Sequence, residues 1–319
     1  MRNVHFDVFI PGHLDNKTAT EIVLQAESIG YDCVWTEDHL LDVLGECWVR
    51  LAFWAAITHR IHLGPLVSCS FYRSPLLLAG MSSTVNSLSK GRLKLGLGAG
   101  YWKEEFEALS TRFLPYRDRL RAFEEFIIIT KGLLQGKEHF RHRGEFYSIS
   151  NRKFMFSSTH ELCPPILIGG TSQPILQIVA KHADGCNFVD ATYSDVRNLL
   201  SELNKQCKMA AVSYQRIEKS CLWPWVFVSR KNDHFATRAR KRVLQRSIQK
   251  HEPRWNWGFS LSGCGESCVD QIRMFLDIGI TRFIIGFAPD HEQVDPFSSN
   301  WSSTKNMELF WDHVVRNVV

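Results

Sequence analysis

The sequence predicts an α/β protein whose strands close into one parallel barrel of eight, the (β/α)8 arrangement. Three observations lead there. Eight short apolar runs alternate with longer segments of helical period, which is the signature of repeated strand–helix units. The count is that of a closed barrel rather than an open sheet. No run is followed by the glycine fingerprint of a dinucleotide-binding sheet. The 319 residues suit a single domain, 1–319, with excursions.

Val4 to Ile10 is strand-like. Thr18 and Glu21 have the spacing of a capping box ahead of a face made by Ala19, Ile22, Val23, Ala26 and Ile29, which Gly30 ends. Cys33 to Thr36 reads as the second strand, and Val49, Ala52, Phe53, Ala56 and Ile57 recur as one core-facing helix stripe. Ile61 to Val67 is the third strand. Ser74-Pro75 then opens a helix expected to face inward through Leu77, Met81, Thr84, Val85 and Leu88, with Gly91 at its close.

Leu93 to Leu97 is the fourth strand, and a long helix follows with Leu120, Phe123, Ile127, Thr130 and Leu134 on one stripe. Pro165 to Ile168 is the fifth strand, and Pro174 sits in the first turn of its helix. Phe188 and Val189 belong to the sixth, whose helix turns Val196, Leu199, Leu200 and Leu203 inward. Leu222 to Val228 is the seventh. Val269, Ile272, Phe275 and Leu276 mark the last inner helix before the eighth, Arg282 to Gly286. Residues 137–164 and 231–265 break the repeat; the first looks like an excursion with a short hairpin, the second is basic and aromatic, and both are long enough to act as lids.

Composition narrows the function. With 45% apolar and 22% charged residues the chain can bury a sizeable core. Its net charge of +5 is spread along the sequence and offers no basic patch for nucleic acid. No run approaches the ~18 apolar residues of a membrane span, and the N-terminus lacks the apolar region of a signal peptide. The nine Cys are scattered, and the closest pair, Cys264 and Cys268, has no matching second pair, so reduced thiols, a cytoplasmic location and no metal are expected.

Ligands of a parallel barrel lie at the C-terminal ends of its strands, so the residues just after each run matter most. After the second strand come Glu37, Asp38 and His39; a His there is either a proton donor or acceptor near neutrality or a loop cap. After the third, residues 66–73 mix small polar with aromatic side chains, where a flat ligand or a plain surface loop fits equally well. After the fourth, Gly96, Gly98 and Gly100 alternate, either making room in a crowded barrel end or letting a cofactor approach the backbone. Gly169-Gly170-Thr171-Ser172 runs from a strand into a helix, so free N–H groups there suit a phosphate or another anion. Cys69 reads as a buried inert thiol.

Four stretches taken together resemble the luciferase-like flavin and deazaflavin oxidoreductases: residues 30–39, 60–75, 88–100 and 164–185, with 279–283 before the last strand also in keeping. The resemblance implies a TIM (β/α)8 barrel with insertions after strands 4 and 7, often homodimeric, binding coenzyme F420 or reduced FMN at the strand C-termini. Residues 35–39 look more like the deazaflavin-dependent branch, in which the matching His stands near the reactive ring. By that match His39, oriented by Asp38, handles a proton. Leu66, Val67 and Ser68 would buttress the ring from a bulge that in many relatives holds a non-proline cis peptide. Gly98 and Gly100 would lie against the cofactor, and Gly169, Gly170 and Thr171 would contact its phosphate-bearing side chain.

The chain departs from the family's sugar-phosphate dehydrogenases at Tyr101, where those relatives carry a catalytic acid, so their reaction is not expected here. A substrate pocket is expected near Phe71, Tyr101 and Trp102. Lys231, Arg238, Arg240 and Lys241 either meet an acidic cofactor tail or form a solvated face. The resulting expectation is an F420-dependent oxidoreductase transferring a hydride to or from a small organic substrate. The alternatives are a two-component FMN monooxygenase served by a separate flavin or F420 reductase, and a barrel that binds a flavin-like ligand without turnover.

Overall fold

The computed structural model describes residues 4–136, 140–152, 163–189, 191–229, 261–287 and 304–319. Its strands are β1 (His5–Ile10), β2 (Cys33–Thr36), β3 (His62–Pro65), β4 (Ser68–Cys69), β5 (Leu95–Gly98), β6 (Phe140–Arg143), β7 (Ser148–Arg152), β8 (Ile166–Gly169), β9 (Gly185–Val189), β10 (Glu218–Ser229), β11 (Leu261–Cys264) and β12 (Arg282–Phe287). The main sheet runs β3-β2-β1-β12-β10-β9-β8-β5-β4, with every pairing parallel and β11 added beside the far end of β10. It closes on itself where Leu63 of β3 bridges Leu93, with Lys94 N donating to Leu63 O at 2.9 Å. The barrel of eight is therefore present, its third stave being β3 plus β4.

That third stave differs from the single strand expected over Ile61 to Val67. The Leu66–Val67 peptide is cis, and the chain steps out of register between β3 and β4. Leu66 N still bonds to Thr36 O at 2.8 Å, so the bulge stays tied to β2. Gly96 and Gly98 lie opposite it. A Cβ on Gly96 would run into the Pro65 carbonyl and one on Gly98 into Val67, so these glycines make room for the bulge.

The helices on the outside are α1 (Asn16–Ile29), α2 (Cys47–Ile57), α3 (Pro75–Leu88), α4 (Lys103–Ala108), α5 (Tyr116–Leu134), α6 (Gln173–His182), α7 (Tyr193–Met209) and α8 (Gly265–Asp277). α1 is capped by Asp15, which accepts from Lys17 N and Thr18 N, so Thr18 lies inside the helix and not at its cap. Gly30 ends it at φ 115°, a left-handed conformation open to glycine. Ser74 caps α3, with Pro75 in its first turn as expected.

The face of α2 is the reverse of the expected one, and that of α3 is rotated, keeping Val85 inside but turning Leu77, Thr84 and Leu88 outward. α2 buries Trp48, Leu51, Trp54 and Ala55 and exposes Val49 and Phe53, while α3 buries Leu78, Ala79, Ser82 and Val85 and exposes Leu77 and Leu88. α2 is apolar nearly all round and α3 carries small hydroxyl residues on both sides and no charge, so periodicity alone does not single out one stripe; the larger indoles of α2 take the interior because they bury more area. In α5 and α8 only one stripe is apolar, and the expected residues are the buried ones. In α7, Val196, Leu200 and Leu203 are buried and Leu199 is half-buried at the barrel mouth.

Two apolar cores result. The larger lies between strands and helices, and the smaller fills the barrel's centre with Phe9, Cys33, Trp35, Leu66, Leu167, Leu222 and Ile284. On the closed side of this layer, Asp7 is fully buried against Arg282, with Nη1 at 2.6 and 2.8 Å from the two carboxylate oxygens, and it also accepts from Trp35 Nε1 at 2.7 Å.

The first expected excursion contains the β6–β7 hairpin, anchored on α5. The Glu125 carboxylate accepts from the N–H groups of Glu145, Phe146 and Tyr147, and Phe140 packs at Gly132. The hairpin packs on α5, and none of its described residues lines the cavity at the barrel mouth. Of the second excursion only Leu261–Cys264 and Gly265 lie within the described residues; Lys231, Arg238, Arg240 and Lys241 lie outside them. All nine cysteines are free thiols. Among the described residues no helix is long and apolar enough to cross a membrane.

Candidate active site

At the C-terminal ends of the strands the barrel opens into a cavity of about 820 Å³. That lies within the roughly 300–1,000 Å³ range of small-molecule sites. The turns after β2, β3, β5, β8 and β9 all contribute to its wall. Of the residues expected at a site, Asp38, His39, Leu66, Val67, Gly98, Gly100, Tyr101, Gly169, Gly170 and Thr171 line it.

Three do not. Ser68 is fully buried behind the wall, where its Oγ donates to Asp38 Oδ2 at 2.5 Å and accepts from Trp48 Nε1 at 3.1 Å. Phe71 turns onto Phe106, ring centroids 5.4 Å apart, and Trp102 is buried beside His39 at 5.3 Å. These two rings support the wall instead of forming it. Gly100 is held at φ 67° with Phe106 and Cys69 against its α-carbon, so it too has a packing reason to be glycine. Burial pushes the Cys69 thiol up to about 12, which keeps it protonated and unreactive.

The orientation of His39 differs from the expected one. Asp38 is engaged by Arg73, whose Nη1 and Nη2 donate to its two oxygens at 2.6 and 2.9 Å, and by Ser68. Arg73 also pairs with Glu46. The group that holds the imidazole is Glu105 of α4, fully buried, with its oxygens 3.1 and 3.2 Å from His39 Nδ1. Glu105 also accepts from Leu40 N at 2.6 Å, Leu41 N at 3.2 Å and the Tyr72 hydroxyl. It therefore clamps the loop that carries His39 as well as the ring. On the other side, His39 Nε2 lies 3.3 Å from the Tyr101 hydroxyl.

Burial alone would lower the pKa of His39, but the Glu105 hydrogen bond and the charges of Glu37, Glu105 and Asp38 outweigh it and raise the imidazole above its ordinary 6.5. Glu105 moves the opposite way, burial being overcome by its bonds to His39 and Tyr72, and stays below the usual 4.5. Both shifts favour the charged pair of imidazolium and carboxylate. The raised His contributes stability that is complete below its free value and is lost as pH rises through its folded value. The lowered Glu contributes above its free value and loses that as pH falls through its folded one, so their joint contribution is greatest between about 4.5 and 6.5.

The turn after β8 enters α6 through Ser172, which caps the helix by accepting from Ile175 N. Tyr116 of α5 reaches across to it, hydroxyl to hydroxyl at 2.5 Å. Backbone N–H groups at a helix start together with two hydroxyls form a neutral anion cradle. Asn187 of β9 also lines the cavity; its Oδ1 accepts from Ser220 Oγ at 2.9 Å, and its buried Nδ2 has no partner among the described residues.

Glu105, Tyr72, Tyr116 and Asn187 are site residues that sequence reasoning missed. Glu105 left a trace, since Glu104, Glu105 and Glu107 follow the glycine turn, but nothing in the spacing distinguishes the inward one from its solvated neighbours.

Residues 4–256 match the luciferase-like monooxygenase family. The F420-dependent glucose-6-phosphate dehydrogenase of Amycolatopsis mediterranei is 23% identical over 307 residues, covering 86% of this chain and 89% of that protein. Among solved structures, the coenzyme F420-dependent tetrahydromethanopterin reductase of Methanopyrus kandleri superposes with a TM-score of 0.80 at 18% identity, covering 99% of this chain and 100% of that one. The oxygenating constituent of 3,6-diketocamphane monooxygenase from Pseudomonas putida, in complex with FMN, has a TM-score of 0.75 at 15% identity, with 99% of both chains covered. The barrel is the TIM-barrel-like luciferase fold, and the protein is an F420- or FMN-dependent oxidoreductase belonging to the luciferase-like monooxygenase family.

Proposed function

We propose that this protein uses coenzyme F420 to move a hydride to or from a small organic substrate, with His39 exchanging the accompanying proton. The observation that carries the reading is an imidazole in the cavity wall, held by a buried carboxylate on one nitrogen and facing the Tyr101 phenol with the other. The residues fit a flavin-type group. Asn187 Nδ2 is a buried donor awaiting an acceptor, as the carbonyl-rich edge of such a ring supplies. Val67 and Leu66 give an apolar backing, and Gly170, Thr171 and Ser172 would hold a phosphate at the start of α6. When bound, the cofactor supplies the two-electron chemistry.

The chain's own groups do the rest. Glu105 fixes the ring of His39 with Nδ1 as donor, which leaves Nε2 to give or take the proton. Arg73 and Ser68 neutralise Asp38, so the wall beside the imidazole carries a paired carboxylate. A sugar phosphate is disfavoured, because the described lining holds neither Lys nor Arg to pair with a second phosphate beside the cofactor's own.

The second reading, an FMN monooxygenase with a separate reductase, is favoured by the same fold carrying FMN in a relative. Titrating the purified protein with oxidised F420 and with FMN distinguishes the two. Affinity for F420 at least about tenfold tighter is expected; a preference for FMN overturns the first reading.

We also propose that the outward face of α2 and α3 is covered by a second copy. Val49, Phe53, Leu77 and Leu88 are exposed there, and the only charge in either helix is Arg50, which points inward to the carbonyls of Gly12 and Leu14. A contiguous uncharged face of this kind is the sort that oligomers bury. Sedimentation should find a dimer, and Phe53→Asp should shift it toward monomer by about tenfold or more in dissociation constant with unchanged circular dichroism. A monomeric wild-type protein at micromolar concentration refutes the interface.

A further inference from the structure

We propose that Tyr101 is a catalytic residue: its phenol contacts the substrate oxygen and passes the proton between that oxygen and His39, the substrate being a neutral carbonyl compound or the corresponding alcohol. The inference rests on the reading of His39 given above.

The geometry places the phenol between imidazole and cavity. Tyr101 is 57% exposed at the cavity wall, whereas the side chain of His39 is only 18% exposed. The remaining sides of the imidazole are taken. Nδ1 is bound by Glu105, and the buried indole of Trp102 packs against the ring at 5.3 Å. Tyr101 stands at Nε2, hydroxyl to nitrogen 3.3 Å, with the two rings perpendicular at 89°. A phenol can accept one hydrogen bond while donating another, so it can take a proton from Nε2 as it gives its own away. Of the other two phenols in the described lining, Tyr72 is committed to Glu105 and Tyr116 is bonded to Ser172. The substrate class follows from charge. The described lining holds neither Lys nor Arg to neutralise an anionic substrate, and away from the turn after β8 the His–Tyr couple can offer a proton to the oxygen of a neutral one.

In the reducing direction the carbonyl carbon receives a hydride, with its electron pair, from the reduced flavin-type ring, and the C=O π pair moves onto oxygen. The O–H bond of Tyr101 breaks as its proton goes to that oxygen, and the Nε2–H bond of His39 breaks as its proton restores the phenol. The substrate gains two electrons and two hydrogens, the ring loses a hydride, and His39 is left neutral with Nδ1–H still on Glu105 until solvent reprotonates it. Alcohol oxidation is the reverse.

Two readouts test this. In the ligand-free protein, the imidazole of His39 is titrated by NMR in wild type, Tyr101→Phe and Glu105→Gln. Loss of the phenol should lower the His39 pKa by about half a unit, and loss of the carboxylate should lower it further. An unchanged titration in Tyr101→Phe removes the hydrogen bond and the proposal with it. In the loaded enzyme, reduced F420 is offered acetone, cyclohexanone and benzaldehyde, each monitored by return of the oxidised cofactor's absorbance. Tyr101→Phe should lose about 100-fold in kcat with cofactor affinity within about twofold. If His39→Asn collapses and Tyr101→Phe does not, the relay is wrong while the role of His39 survives. If neither changes, both fail. No reduction of any of the three by wild type sinks the carbonyl assignment.

Discussion

Replacing His39 with Asn is expected to lower turnover by about 10²–10⁴-fold while cofactor affinity stays within about threefold. Asn keeps a hydrogen-bonding group near Glu105 but has no proton to exchange in the neutral range. The loop should hold its place, because Glu105 still accepts from the N–H groups of Leu40 and Leu41 and from Tyr72. Binding should survive, since the cradle after β8 and the backing at Leu66 and Val67 are untouched. Stopped-flow measurement of cofactor oxidation, with a parallel binding titration, separates the two effects. Wild-type turnover in this variant would remove His39 from the mechanism. A parallel loss of binding would instead make it a structural residue.

Arg282→Met should destabilise the fold by about 3–5 kcal/mol, the typical effect of leaving a buried charge without its partner. Asp7 is fully buried, and burial already lifts its carboxyl above the usual range against the opposing pull of Arg282. Without the guanidinium, Trp35 Nε1 is the donor that remains to it among the described residues. Arg282 also reaches Glu218 with Nε at 3.0 Å, so a second carboxylate loses one of its two cations and keeps only Lys94 at 3.8 Å among the described residues. Urea denaturation of the wild type, Arg282→Met and Asp7→Asn/Arg282→Met measures this. The double variant should recover a substantial part of the loss, because the charge is then gone together with its partner. Equal stability of wild type and single variant would show that the pair adds nothing.

The strand order and most strand positions were legible because β-runs in a closed parallel barrel are continuously apolar and bounded by turn residues, as at Cys33 to Thr36. Helix faces were legible where one side was charged, as in α5, and illegible in α2 and α3, where no charge marks the outer side. The α1 cap went to Asp15 because its carboxylate reaches two N–H groups, an advantage that the Thr18 and Glu21 pattern does not reveal. At the site, the position of His39 was readable from its place after a strand. Its partner was not: adjacency in sequence favoured Asp38, whereas the fold sets that side chain toward Arg73 and brings in Glu105 from 66 residues away. Contacts of that range carry no local signal.

The apolar layer of Phe9, Trp35, Leu167, Leu222 and Ile284 separates the Asp7–Arg282 couple from the open mouth. Such a partition gives the two ends of the stave cylinder independent evolutionary fates. The sealed floor must keep its electrostatic match whatever reaction is performed above it, while turns at the rim can be exchanged without disturbing that foundation. New specificities can therefore arise by altering the rim alone, on a base that does not register the change.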